Sequence, residues 1–236
     1  MNRFAYHTPI LGYHRVGTFQ GDHVPTVSAL AFERQLSFLA RYQFQVLPLD
    51  AVVACVQRGE AFPRRSVVIT FDDGYEETYT VAWPLLKRFG FPATVFVAPA
   101  EVGMSGFVTW DQLADMAKDA MVIGSHTVHH TYLPLVGEED LREELVESKR
   151  VIEQRIGRAV QFVSYPVGGF TPQAQALARE AGYAAACTTN RASPRAVLDR
   201  YALRRIKVTE RDSHPLVFWA KVCGYYDSFR RLKDPS

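Results

Sequence analysis

Short continuous apolar runs alternate along this chain with longer segments in which apolar residues recur every three or four positions. Runs of the first kind predict buried strands over residues 10–13, 44–47, 67–71, 93–97, 122–125, 161–165, 184–188 and 203–208. Segments of the second kind predict helices. The first starts at Ser28 as N-cap and sets Phe32, Leu36 and Leu39 on one face. A second follows Asp50, a third covers 79–89 and stops at Gly90, and Thr109 caps a fourth. The longest, 138–156, opens with acids and ends at Gly157, as the helix dipole favours. Thr171 and Pro172 then set a cap and a first helical position for a segment closing at Gly182. Such alternation is the mark of α/β organisation, and about seven or eight strand-helix units fit a barrel or an open doubly wound sheet equally well. Periodicity alone does not choose.

With 47% hydrophobic residues in 236, the chain can bury a sizeable core. No linker, repeat, low-complexity stretch or run of five like charges divides it, so residues 1–236 read as a single domain. The net charge is only +2 and its basic residues are scattered as short pairs such as Arg64-Arg65, which argues against a nucleic-acid partner. Cys55, Cys187 and Cys223 are odd in number and share no metal or CxxC spacing, so inert thiols in a reducing compartment are expected. The first residues hold no apolar core of signal-peptide length, and no stretch of about 18 apolar residues occurs. As written, the chain is expected in the cytoplasm. The C-terminal stretch "PLVFWAKVCGYYDSFRRLK" mixes aromatics with Lys221, Arg230 and Arg231. A docked terminal helix is the default for it, with peripheral membrane contact as the alternative. No GxGxxG, GxxxxGK or GxSxG is present, which leaves nucleotide and serine-hydrolase chemistry unsupported.

Chemistry enters with "VVITFDDGYEET", residues 67–78, where a buried strand ends in Asp72, Asp73 and Gly74. Catalytic groups of parallel α/β folds gather at this carboxyl edge. Adjacent carboxylates repel unless a cation or a shared proton compensates them, so the pair predicts a metal or an acid/base couple. A plain Asp-Gly turn in which one acid caps the next helix accounts for the motif equally well. The second motif is "IGSHTVHHTYL", residues 123–133, again directly after a strand. His126 and His130 are four apart and share a face if the segment turns helically, with His129 pointing elsewhere. Two imidazoles and one carboxylate with an open position make a catalytic site for Zn²⁺ or a similar divalent ion. Such an ion lowers the pKa of bound water towards about 7 and polarises a carbonyl. One Asp can then bind it while its neighbour takes a proton.

"TFDDG" (70–74) together with "SHTVHH" (125–130) resembles the first two motifs of the polysaccharide deacetylases, the NodB-homology domain of carbohydrate esterase family 4. The resemblance runs over nearly the whole chain, through "FERQLSFLARY", "WPLLKRFGFPATVFV" and "FVSYPVGG". It implies a distorted (β/α) barrel of the polysaccharide deacetylase type and metal-dependent N-deacetylation of a sugar, with Zn²⁺ first and Co²⁺, Ni²⁺ or Mn²⁺ as alternatives. Carried over by residue, it makes Asp72 the general base and Asp73, His126 and His130 the metal ligands.

Two departures stand out. Where many members have a base-orienting Arg and then a Tyr whose amide helps bind the oxyanion, this chain has Ser164 and Val167; the Val167 amide can still serve. The usual late Leu-x-His is absent. "ILGYHRV" (10–16) resembles instead the permuted branch that contains the poly-N-acetylglucosamine deacetylases, which implies His14 as general acid. The expected substrate is an N-acetylated glycan, its polymer or a precursor. O-acetyl esterase or other amidase activity on the same scaffold, or a degenerate carbohydrate-binding protein, are the alternatives. Trp110, Tyr132 and Phe170 are the candidate sugar-stacking rings, and Phe107 a candidate cleft residue.

Overall fold

The computed structural model describes residues 6–17, 24–189 and 199–226. Its central strands are β1 (Ile10–Tyr13), β5 (Ser66–Phe71), β6 (Ala93–Val97), β7 (Met121–Ser125), β8 (Phe162–Ser164) and β9 (Ala185–Thr188). Two short strands, β2 (Arg15–Val16) and β3 (Thr26–Val27), form a separate parallel pair, and β4 (Gln45–Val46) joins the start of β5. All six residues of β5 are buried, the two-sided burial that parallel sheets impose.

The sheet runs in the order β10-β9-β8-β7-β6-β5-β1-β11, parallel throughout. Its two outer strands, β10 (Leu203–Arg204) and β11 (Ile206–Lys207), are successive pieces of one segment. β10 pairs with β9 through Leu203 and Cys187, while β11 pairs with β1 through Ile206 and Leu11. One stretch of chain therefore reaches both edges, and the sheet becomes a nearly closed barrel. The single strand expected over 203–208 is thus two, parted at Arg205. A residue that leaves one neighbour for another cannot keep both ladders.

Helices α1 (Ala29–Arg41), α3 (Trp83–Phe89), α4 (Trp110–Met116), α5 (Glu138–Ile156), α6 (Pro172–Glu180) and α7 (Pro215–Val222) cover the outside. Ser28 caps α1 and buries Phe32, Leu36 and Leu39 as its spacing requires. Thr109 and Gln112 close a full capping box on α4. The helix expected over 79–89 opens instead as a π-helical stretch, Thr78–Ala82, before α3. Pro84, near the start of α3, offers no N–H to the preceding carbonyls, and the ladder slips there. The helix α2 (Leu49–Arg58), just before β5, packs Leu49, Val52 and Val53 on an inner cluster of Ile10, Val68, Phe96, Phe162, Ala185, Cys187 and Leu203. The lumen is apolar at that end. At the other end the same inward parity along β5 continues through Thr70 to Asp72.

The C-terminal segment docks as expected of a terminal helix. α7 buries Phe218 and Val222 and sets Phe218 edge-on to Phe38 at 5.6 Å, leaving Leu216, Val217 and Trp219 outward. Arg230 and Arg231, part of the expected membrane contact, lie outside the described residues. Among the described residues no helix is long and apolar enough to cross a membrane.

Candidate active site

β5 delivers the two acids to different places. The Asp72 N–H still donates to the Tyr13 carbonyl at 2.9 Å, so Asp72 keeps the strand's register and turns its carboxylate into the lumen, 2% exposed. Asp73 leaves the strand in the left-handed region, φ 69°, and Gly74 follows at φ 73°. A Cβ on Gly74 would stand 2.7 Å from Val97 Cγ1, so only glycine fits the turn. Two adjacent acids are thereby parted by backbone geometry.

Asp73 meets the histidine motif. Its Oδ1 lies 3.3 Å from Nε2 of both His126 and His130, whose rings stand 4.8 Å apart. These three ligand atoms are a group that can hold a metal ion. The donor chemistry fits: Asp73 Oδ1 is buried without a hydrogen-bond partner. His126 Nδ1 is engaged by the Ser164 carbonyl at 2.7 Å, which turns Nε2 towards the cluster. Burial alone would raise the Asp73 carboxyl, but the two imidazoles beside it outweigh that and hold it well below the usual range. The Asp73 carboxylate beside it raises His130 in turn, against its burial.

The two imidazoles do not share a helical face, as their spacing suggested. The segment is a loop with Thr127 at φ 64° and His130 at φ 56°, and these left-handed turns bring the rings together. Its shape is held by Glu144 of α5, 6% exposed. Glu144 Oε2 accepts the Val128 and His129 amides at 2.7 and 3.0 Å; Oε1 accepts Thr131 Oγ1 at 3.1 Å and lies 2.8 Å from His129 Nδ1. Burial raises this carboxyl and those bonds lower it further, leaving it below the ordinary value.

Asp72 is gripped from across the barrel. Arg205 Nη1 donates to Oδ1 at 2.7 Å and Nη2 to Oδ2 at 2.6 Å. Against the penalty of burial, the Arg205 charge, with lesser help from His126, holds Asp72 ionised below its ordinary range. His14, at the end of β1, places Nε2 4.0 Å from Asp72 Oδ2. Burial lowers its pKa, with the Asp72 charge opposing. Val167 follows β8 with φ 57° and is 73% exposed.

The candidate rings divide. Phe107 stacks on Tyr75 at 5.1 Å, with the Arg15 guanidinium 3.9 Å over the Tyr75 ring. Phe170 is spent on Tyr165 at 5.1 Å, and Trp110 lies under Arg155. Tyr132 is exposed. Glu101, after β6, is a further acid whose carboxyl burial raises, with His130 opposing. Sequence reasoning missed Arg205 and Glu144. For Arg205 a signal existed: it shares strand parity with Leu203, and an Arg on the buried face of a strand must find a carboxylate.

A parallel barrel with an acid pair and two imidazoles at its carboxyl edge defines a (β/α)-barrel protein with a candidate metal site where such folds carry their chemistry. The chain belongs to the polysaccharide deacetylase family, whose model matches residues 59–186. It is 29% identical over 201 residues to YxkH of Bacillus subtilis, a protein named for the polysaccharide deacetylases, covering 85% of this chain and 71% of that one. It is 27% identical over 171 residues to the poly-β-1,6-N-acetyl-D-glucosamine N-deacetylase of Staphylococcus aureus, covering 66% of this chain and 59% of that one. In fold it is similar to the Streptococcus pyogenes deacetylase PplD, solved with acetate (TM-score 0.84, 24% identity, 91% of this chain and 97% of that one). IcaB from Ammonifex degensii is similar too (TM-score 0.79, 24% identity, 92% and 98%).

Proposed function

We propose that the protein hydrolyses the N-acetyl group of N-acetylhexosamine units in a glycan or glycan precursor, releasing acetate and a free amine. The observation that carries this reading is the division of the acid pair: Asp72 ionised and clamped beside His14, Asp73 joined to His126 and His130. Asp73, His126 and His130 would hold a divalent ion, with Zn²⁺ the best match to two imidazoles and one carboxylate. When bound, that ion polarises the acetyl carbonyl and makes water a stronger acid. Asp72 takes a proton from the attacking water as its oxygen bonds to the carbonyl carbon. The Val167 N–H donates to the developing oxyanion. His14 gives its proton to the nitrogen as the C–N bond breaks, so the sugar leaves as an amine and the acyl group as acetate.

The sugar amide is favoured over an ester because an amine, unlike an alkoxide, must be protonated to leave, and His14, 4.0 Å from Asp72, is a group that can supply the proton. Acetate release from matched N-acetylated and O-acetylated sugars tests the choice. Preference for the N-acetyl series is expected; preference for the O-acetyl series transfers the scaffold to ester hydrolysis. No release from either, with metal bound, leaves a carbohydrate-binding role.

We also propose that the C-terminal helix provides a peripheral contact with anionic membranes. Leu216, Trp219 and Tyr42 border an open groove of about 1140 Å³ with Arg41, Arg64 and Arg65, none of which makes an ion pair with a described residue. The groove lies where β4 and β5 begin, opposite Asp72, so docking there leaves the site facing away from the lipid. Flotation with phosphatidylglycerol vesicles, lost in Leu216→Ala/Trp219→Ala, is expected; no flotation of the wild type refutes the contact.

A further inference from the structure

The segment that closes the barrel carries a cation inside it. Arg205 is 3% exposed and sits at the break between β10 and β11. Both neighbours fix its backbone: its N–H donates to the Thr188 carbonyl at 2.8 Å, and Val208, three residues on, donates to the Gly12 carbonyl at 2.9 Å. From there the guanidinium spans Asp72, Thr70 Oγ1 at 3.0 Å and Ser164 Oγ at 2.7 Å.

We propose that Arg205 is the positioning residue that orients Asp72 as the base, and that Ser164 ties this clamp to the metal-ligating His126. The inference rests on the deacetylase reading above. A buried ion pair contributes little net stability compared with well-packed apolar residues, so barrel closure alone gives no reason for one here. A two-pronged guanidinium does something an apolar contact cannot: it fixes the plane of the carboxylate. With one lone pair of each Asp72 oxygen engaged, those on the far side of each oxygen stay free for the proton to be taken.

Ser164 is the second part of the device. Its hydroxyl accepts from Arg205 Nη2, and its carbonyl meets His126 Nδ1, both at 2.7 Å. One residue therefore touches the clamp of the base and the orientation of a metal ligand. An arginine at 164 would have to occupy the space that the Arg205 guanidinium fills. Ser164 is fully buried with its hydroxyl against that guanidinium, so the small side chain leaves Arg205 its place.

The test measures kcat, KM and Zn²⁺ affinity for the full chain and for Arg205→Lys, Arg205→Ala, Ser164→Ala and Asp72→Asn. Arg205→Lys keeps the charge and loses the fork, so kcat should fall about 10²-fold, as for a base displaced by an ångström. KM and Zn²⁺ affinity should stay within about threefold, since the Arg205 guanidinium bonds Thr70, Asp72 and Ser164 and none of the three candidate metal ligands. Ser164→Ala removes one acceptor and should lower kcat roughly tenfold, the size of one hydrogen bond. In Arg205→Ala, millimolar guanidinium should restore kcat by at least roughly tenfold, which a fork lost only as packing would not allow. Where Arg205→Ala fails to fold, Arg205→Lys and Ser164→Ala decide. If Asp72→Asn is inactive while Arg205→Lys and Ser164→Ala keep the wild-type kcat, Arg205 does not position the base. Zn²⁺ affinity falling together with kcat in Arg205→Lys overturns the proposal as well. Full activity in Asp72→Asn sinks the deacetylase mechanism itself.

Discussion

Replacing Glu144 by Gln perturbs the histidine loop without touching either candidate ligand. Glu144 is ionised and receives two backbone amides at one oxygen, with His129 and Thr131 at the other. The amide of Gln can keep its oxygen towards the Val128 and His129 amides, but its NH₂ cannot accept from Thr131. Hydrogen bonds to a charged group contribute about 1.5–3 kcal/mol each, and part is recovered by rearrangement, so a net loss of about 2 kcal/mol is expected. In a chain of this length that lowers Tm by about 4–8 °C. If the ion must then supply the order that Glu144 gave, Zn²⁺ affinity falls by up to about 30-fold. Scanning calorimetry of the metal-free protein and competition against a chromophoric chelator read the two effects. The pH dependence has a defined sign. The folded carboxyl lies below its ordinary value of 4.5, so its contribution is fully present above that value and is lost as pH falls through the folded one. The gap between wild type and Glu144→Gln should therefore close in acid. An unchanged Tm and affinity at neutral pH would show that Glu144 does not hold the loop.

Three further substitutions follow from the geometry. Gly74→Ala adds a Cβ 2.7 Å from Val97 Cγ1 at φ 73°, and should destabilise by about 1–3 kcal/mol in chemical denaturation; a neutral result refutes the required turn. His14→Ala should lose about 10²-fold or more in kcat with Zn²⁺ affinity intact, and full activity would remove His14 as the acid. Val167→Gly keeps the N–H and suits φ 57°, so kcat should hold within about threefold while Tm stays or rises; a large loss would give the exposed side chain a role the proposal denies it.

What could be read in advance was local. Residues 138–156 form α5 to the residue because acids at the start and Gly157 at the end act on their own turn. Thr109 and Thr171 cap helices for the same reason. Asp73, His126 and His130 were legible as a group because each motif follows a strand of the same parallel edge. How the histidines meet was not, since it depends on left-handed turns at Thr127 and His130 that Glu144 holds from another element. The break at Arg205 was hidden by a run that reads as one strand, because it is set by pairing with β9 on one side and β1 on the other. Its partner Asp72 lies 133 residues away. No spacing could show that contact, though a buried arginine in a strand pattern asks for one.

The most direct test of the proposed chemistry is acetate release from an N-acetylglucosamine oligomer by the purified chain, before chelation, after it, and after Zn²⁺ is returned. Loss on chelation, recovery with Zn²⁺ in the wild type, and no recovery in Asp73→Ala are the results this mechanism predicts. Release that persists in the metal-free protein would contradict it.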